Sequence, residues 1–284
     1  MKIKKRYSGW FLAPTMIVFI TLFIIPLVIS FYFSLTVWSF TDVTFVGLEN
    51  FRMFLKDKAL SHSLMNTFLY SFTTCGIKVV LGFLLAVYLT GNIRLKRTLR
   101  SLVFFPHLVS SVAVGITFTA LMHPSKGLIN QVIRWFGGSS VNWLGDPSIA
   151  LFSIIGTDVW KGLGVATVIF ISGIQAIDRT YYEAAEVDGA RSSQLLRYIT
   201  MPLCRPAMNS VIILALVSGM KSFDLIKAMT EGGPGTSTEV IALSVYKQFA
   251  AGYYGLSTAG NVIMLIMIGF IAYPLQKFLI SREE

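Results

Sequence analysis

Six apolar runs, each long enough to cross a lipid bilayer at about 20 residues per crossing, leave this chain few ways to fold. They cover approximately residues 9–35, 64–90, 101–122, 149–176, 207–229 and 257–280. Inside hydrocarbon every backbone N–H and C=O needs a partner within the same segment, so runs of this length are expected as helices. The expected fold class is therefore all-α: a polytopic membrane protein with six transmembrane helices, read as a single domain over 1–284. Composition agrees. Of the residues 54% are hydrophobic and only 13% charged, and mean hydropathy is +0.68, an excess that a soluble domain lacks the polar surface to cover. Met1–Arg6 followed by an apolar run resembles a signal peptide. However, the run from Gly9 to Leu35 is too long, and no small-residue cleavage site follows it. Pro26, Pro106 and Pro274 lie within or at the ends of runs, where kinks are expected.

A net charge of +10 would point a soluble protein toward nucleic acid. Here the basic residues cluster beside apolar runs, which reads as membrane topology and argues against nucleic-acid binding. With the N-terminus inside, the cytoplasmic segments carry Lys2, Lys4, Lys5 and Arg6; Arg94, Lys96, Arg97 and Arg100; Arg179, Arg191, Arg197 and Arg205; and Lys277 and Arg282. The opposite side carries only Arg52, Lys56, Lys58, Lys126, Arg134 and Lys247. That asymmetry puts both termini, and the loop at about 177–206, in the cytoplasm. Trp38, Trp135 and Trp143 on the outer segments suit the membrane interface. Thr230–Gly235 is a turn signal, and Glu239–Ala250 has the spacing of a short interfacial helix. Neither Cys75, inside an apolar run, nor Cys204, near the end of the loop, is placed for a structural disulfide.

The loop is polar and rich in small residues, unlike nearly everything around it. Thr180-Tyr181-Tyr182-Glu183 reads as a capping box. The helix it opens should run to about Asp188, with Gly189 supplying a left-handed exit. At about 100° per residue, Tyr181, Ala184, Ala185 and Asp188 share one face, and Tyr182, Glu183, Glu186 and Val187 the other. Alanines let another backbone approach closely, and the carboxylates suit a basic partner. The residues equally describe an amphipathic helix lying on the membrane surface. Ser192 or Ser193 is expected to cap a second helix that Met201-Pro202 ends.

No Gly-x-x-x-x-Gly-Lys-Ser/Thr sequence occurs, so the chain has no phosphate-cradling loop of its own. There is no intramembrane series of Asp, Glu and His to relay protons. His62, His107 and His123 are scattered near run ends and read as interfacial residues, not metal ligands. No catalytic residues and no metal site are expected. Inverted repeats or a selectivity ring, which an ion-coupled secondary transporter or a channel would need, are not evident.

Ionisable groups at membrane depth are costly, about 3 kcal/mol for a lysine near a helix centre, and so are expected to face a cavity or a partner. Asp158 and Lys161, at i and i+3, can neutralise each other along one helical face or, with Gly162, line a pathway. In the fifth run Ser218, Gly219, Lys221, Ser222 and Asp224 form a polar stretch, and Ser218 and Ser222 share a face. Close packing of helices through small residues explains it as well as a pathway does. Trp160 offers either a stacking face for a sugar or a packing surface for a neighbouring helix.

Glu183-Ala184-Ala185, Asp188-Gly189-Ala190 and Ile199-Thr200-Met201-Pro202 with Pro206 resemble the EAA-loop signature of binding-protein-dependent ABC importer permeases. Phe11–Pro14, Phe45–Phe51, Asn66-Thr67, Gly127–Asn130, Asp158–Gly162 and Gly232–Pro234 extend the resemblance over nearly the whole chain. Together they resemble the maltose-type and glycerol-phosphate-type first permease subunit. The resemblance implies a multi-pass protein of the bacterial plasma membrane that forms half of a translocation pathway. Its implied partners are a second homologous permease, two cytoplasmic ATPases holding ATP and Mg, and an extracytoplasmic solute-binding protein. The cargo it implies is a sugar or oligosaccharide, or alternatively a glycerol phosphate or other acidic polyol. It also implies that Tyr181, Glu183, Ala184, Ala185, Asp188 and Gly189 couple to the ATPase. Asp158–Gly162 and Gly219–Ser222 would then contribute to a sugar site near mid-membrane. Two departures stand out. Met201 replaces the usual Leu before Pro202, and Val165, Gly219 and Ser222 stand where the family has Tyr and Asn.

Overall fold

The computed structural model describes residues 9–38 and 42–281. Lys2, Lys4, Lys5, Arg6 and Arg282, which enter the orientation argument, lie outside the described residues. In chain order the elements are α1 (Trp10–Ser34), the hairpin β1 (Thr36–Trp38) and β2 (Val43–Phe45), α2 (Glu49–Lys56), α3 (Lys58–Thr90), α4 (Lys96–Leu108), α5 (Ser111–Leu121), α6 (Leu128–Trp135) and α7 (Ala150–Gln175). Then follow α8 (Arg179–Val187), α9 (Ser192–Leu203), α10 (Arg205–Met220), α11 (Asp224–Thr230), α12 (Ile241–Ala250) and α13 (Tyr254–Ile280). Among the described residues, α1, α3, α7 and α13 are long and apolar enough to cross a membrane. The bent pairs α4–α5 (96°) and α9–α10 (66°) bring the number to six if each is one crossing.

Two expected crossings are broken. The third, read as one run, turns at Val109, which is extended (φ −78°, ψ 140°), just after Pro106 near the end of α4. Proline removes a ladder hydrogen bond and crowds the preceding turn, so the helix stops there. The fifth ends at Met220, and α11 starts separately after Lys221–Phe223, where the polar residues would otherwise have continued an apolar helix. Pro26 and Pro274 do not end helices. Widened π turns at Ile20–Ile24 and Leu196–Thr200 each finish two residues before a proline, Pro26 and Pro202. The wider turn relieves the clash between the ring and the carbonyl four residues back. α9 ends at Leu203, one residue after Pro202, as expected of Met201-Pro202, whereas Pro274 lies within an uninterrupted α13.

The chain divides into two units. One comprises Met1–Ser61 and Ser244–Ile266. There the β-hairpin follows α1, and Trp38 stacks on Phe33 (4.4 Å between centroids) and meets Tyr254 (4.8 Å). Buried Asn50 donates to the carbonyls of Ser34 (2.9 Å) and Thr36 (2.8 Å), pinning α2 to the hairpin. Gly255 is required here, because a Cβ would collide with the Thr36 carbonyl oxygen.

The other unit comprises His62–Leu243 and Met267–Glu284. It has two separate apolar cores. One joins Tyr70, Val114, Ile154, Val159, Leu225, Ile226 and Met229, and the other joins Phe83, Ala86, Leu89, Ala166, Phe170 and Val211. Each α3 or α7 passes through both. Two buried asparagines organise the loops. Asn66 donates to the carbonyls of Thr236, Ser237 and Glu239 (2.9–3.2 Å), and Thr67 Oγ1 accepts from the N–H of Ile241 at 2.9 Å. Asn130 donates to the carbonyls of Pro124 and Val141 and accepts from Val141 N–H and Trp143 Nε1–H. The turn at Thr230–Gly235 is present, with positive φ at Glu231, Gly232 and Gly235. Both cysteines are free and buried.

Candidate functional site

Between the two cores of the second unit lies a polar layer. On α3, Lys78 stands twelve residues before Thr90, roughly 18 Å along the helix, and its side chain is only 7% exposed. It is neutralised by Asp158 of α7, with Nζ 2.6 Å from Oδ2. The expected pairing of Asp158 with Lys161 is therefore corrected: the carboxylate serves the more buried cation. A buried charge without a partner is the costlier alternative, while Lys161, half-buried, retains access to polar surroundings. Gly162 lies against the pair. A Cβ there would lie 2.7–2.8 Å from Lys78 Cε and Nζ. Tyr70, fully buried, accepts from Ser222 Oγ at 3.1 Å and also faces Asp158.

This layer borders a cavity of about 320 Å³ lined by Lys78, His107, Ser111, Asp158, Lys161, Gly162, Ser218, Lys221, Ser222 and Asp224, among others. A more apolar cavity of about 230 Å³ shares Lys78, His107, Gly162 and Ser218, and adds Val165, Val211 and Leu214. Asp158, Lys161, Gly162 and Val165 follow i, i+3, i+4, i+7 spacing, so one stripe of α7 faces this space. Ser218 and Ser222 bring the end of α10 to it. Two of the candidate pathway residues are elsewhere. Trp160, two residues from Asp158 and so on another side of α7, packs against Phe118 at 5.2 Å. Gly219 faces α3, where a Cβ would approach Ser71 Cα to 2.8 Å, and serves helix packing. Conversely, Lys78, Tyr70 and His107 belong to the layer although the sequence did not single them out as pathway residues. His107, read as interfacial, lines both cavities.

The second candidate site is α8. Its N-cap is Asp178, whose carboxylate accepts from Thr180 N–H at 3.0 Å, so the cap lies two residues earlier than the expected Thr180. That hydrogen bond from the backbone, then one from the Thr180 side chain, hold the Asp178 carboxyl below its ordinary range. The helix ends at Val187, and Gly189 takes the left-handed conformation (φ +77°) with open space around it, as expected. Arg191 caps the next helix in place of Ser192 or Ser193, with its N–H donating to Gln194 Oε1 at 2.7 Å. Tyr181, Glu183, Ala184, Glu186, Val187 and Asp188 are all exposed. α8 is tied down by Tyr182, whose hydroxyl lies 3.0 Å from Thr200 Oγ1 in the π turn of α9. The two faces separate as expected. Tyr182, Glu183 and Glu186 line a groove of about 660 Å³ with Thr90 and Gln175, while Ala185, Asp188 and Gly189 line another beside Tyr198.

Comparison with known proteins gives a consistent picture. Residues 78–284 match the family described as binding-protein-dependent transport system inner membrane component. The chain is 31% identical over 271 residues to a trehalose/maltose transport system permease protein of Thermococcus litoralis, covering 94% of this chain and 92% of that protein. It is 29% identical to a multiple sugar-binding transport system permease protein of Streptococcus mutans, covering 95% and 94%. Its fold is similar to a chain of a bacterial ABC transporter that imports the acidic polysaccharide alginate, with a TM-score of 0.85 at 22% identity, covering 95% and 94%.

Proposed function

The chain belongs to the binding-protein-dependent transport system inner membrane components, and from that premise we propose that it forms half of the pathway of an ATP-driven sugar or oligosaccharide importer. A second homologous permease supplies the other half. Two cytoplasmic ATPases, holding ATP and Mg, drive it, and an extracytoplasmic binding protein delivers the cargo. Both termini and α8 lie on the cytoplasmic side. The chain carries out no chemistry on the cargo.

The observation that carries this reading is α8 itself. It is capped at both ends, anchored through one hydroxyl, and exposes Ala184, Glu183, Glu186 and Asp188. Such a face suits close docking into a groove of a partner. A sugar cargo is supported by the relatives and by the polar layer, whose hydroxyl, amine and carboxylate groups suit hydrogen bonding to a polyol.

The test is a tagged chain purified from its membrane, with ATP-driven uptake measured in proteoliposomes. Glu183→Lys and Gly189→Val should insert normally but lose uptake and retain less ATPase subunit. Unchanged uptake in both variants would sink coupling through α8.

A further inference from the structure

Building on the importer reading, we propose that the cavity between α4, α7 and α10 selects an anionic sugar, one bearing carboxylate groups, with Lys161 and Lys221 as its counter-charges. Three lysines and two aspartates line this space. The Lys78–Asp158 pair is internally satisfied at 2.6 Å. Asp224 opens α11, where its charge is favoured by the helix N-terminus. Lys161 and Lys221 remain, neither in an ion pair among the described residues. Lys161 is half-buried and Lys221 exposed, so both keep their charge through hydration and are free to meet an anion that enters this space.

The geometry favours the cargo in that role. Lys161 sits one turn from Asp158 on the cavity stripe of α7, and Lys221 stands where α10 breaks, beside Ser222. The two ammonium groups thus arise from different helices and bracket one volume, as a ligand of several residues' length with repeated carboxylates requires. His107 adds a further donor to the same wall. A neutral sugar would leave both ammonium groups unmatched, whereas a uronic-acid chain meets them and also uses the hydroxyl of Ser218.

The experiment uses the complex that co-purifies with this chain, in lipid nanodiscs and without added binding protein. Equilibrium binding of a uronic-acid tetramer is compared with that of a glucose tetramer. The wild type should favour the uronide at least tenfold, with the preference shrinking as salt rises. Lys161→Gln and Lys221→Gln should each erase most of that preference, while Lys161→Arg retains it. The amount of co-purified ATPase reports whether each variant is assembled. Equal binding of both tetramers, no uronide binding, or a preference indifferent to both glutamine variants overturns the proposal. In the last case the cations that meet the uronide come from the second permease. Loss of the ATPase from the wild-type preparation would instead strike at the importer reading itself.

Discussion

Among the described residues, Lys78 bears a different burden from the other lysines. It is nearly buried inside a 33-residue helix, and its charge is tolerable because Asp158 meets it at 2.6 Å. Removing one partner leaves the other charge stranded, so Asp158→Leu should cost about 3 kcal/mol. The double variant Lys78→Met/Asp158→Leu should lie closer to wild type than Asp158→Leu does. Unfolding in detergent micelles, arranged as a double-mutant cycle, measures this. Glycines near the pair sharpen the contrast. At Gly162 an added methyl meets the movable end of Lys78, whereas at Gly164 it meets the Val103 carbonyl oxygen (2.5 Å) and Phe104 Cα (2.7 Å), which are backbone. Gly164→Ala should therefore destabilise by about 1–3 kcal/mol and Gly162→Ala by less, in the same assay. That a lysine at membrane depth needs a partner was legible in general, though it was read at Lys161 and not at Lys78. Which carboxylate serves it was not, because helical spacing offers only neighbours on the same helix, and this partner is 80 residues away.

Apolar runs fixed where helices would be, since hydrocarbon leaves the backbone no other choice, and the tight turns at Gly189 and Gly232 were readable from residues that tolerate positive φ. The bends were less readable. Pro106 and Pro202 each lie within two residues of a helix end whereas Pro26 is carried through, and π turns precede Pro26 and Pro202 but not Pro106. The outcome depends on whether neighbours hold the widened turn, and in α9 Tyr182 touches it through Thr200. Tyr182→Phe should thus raise amide exchange across residues 179–187 several-fold while leaving α7 unchanged. If exchange in α8 does not move, the tie is incidental. The N-cap makes a second, independent demand. Because hydrogen bonds from Thr180 lower the Asp178 carboxyl in the folded state, its contribution is complete above the unfolded carboxylate value of about 3.9. It is lost as pH falls through the folded value. Exchange in α8, corrected for intrinsic rates, should stay constant from pH 8 to pH 5 in the wild type. Asp178→Ala should be faster throughout that range.

Orientation follows from physics acting outside the fold, on the loops that must or must not be translocated. Arg94, Lys96, Arg97 and Arg100 mark the connection after α3, and Arg179, Arg191, Arg197 and Arg205 mark the segment around α8, so both should remain on the cytoplasmic side. The stretch between α5 and α7, with Trp135 and Trp143, should lie outside. Because Cys75 and Cys204 are buried, single cysteines can be read against a quiet background. Ser139→Cys should react with a membrane-impermeant maleimide on intact cells, and Asn92→Cys only after permeabilisation. Labelling of Asn92→Cys from outside would invert the topology and put α8 where no ATPase can reach it. The same reagent tests assembly. Ala184→Cys, exposed in the isolated chain, should resist labelling in permeabilised cells that contain the complete complex. It should become reactive once the ATPase subunits are stripped with chaotrope. Equal reactivity before and after stripping would mean that the alanine face meets only water, and α8 would then lose its role as the element through which force enters the membrane.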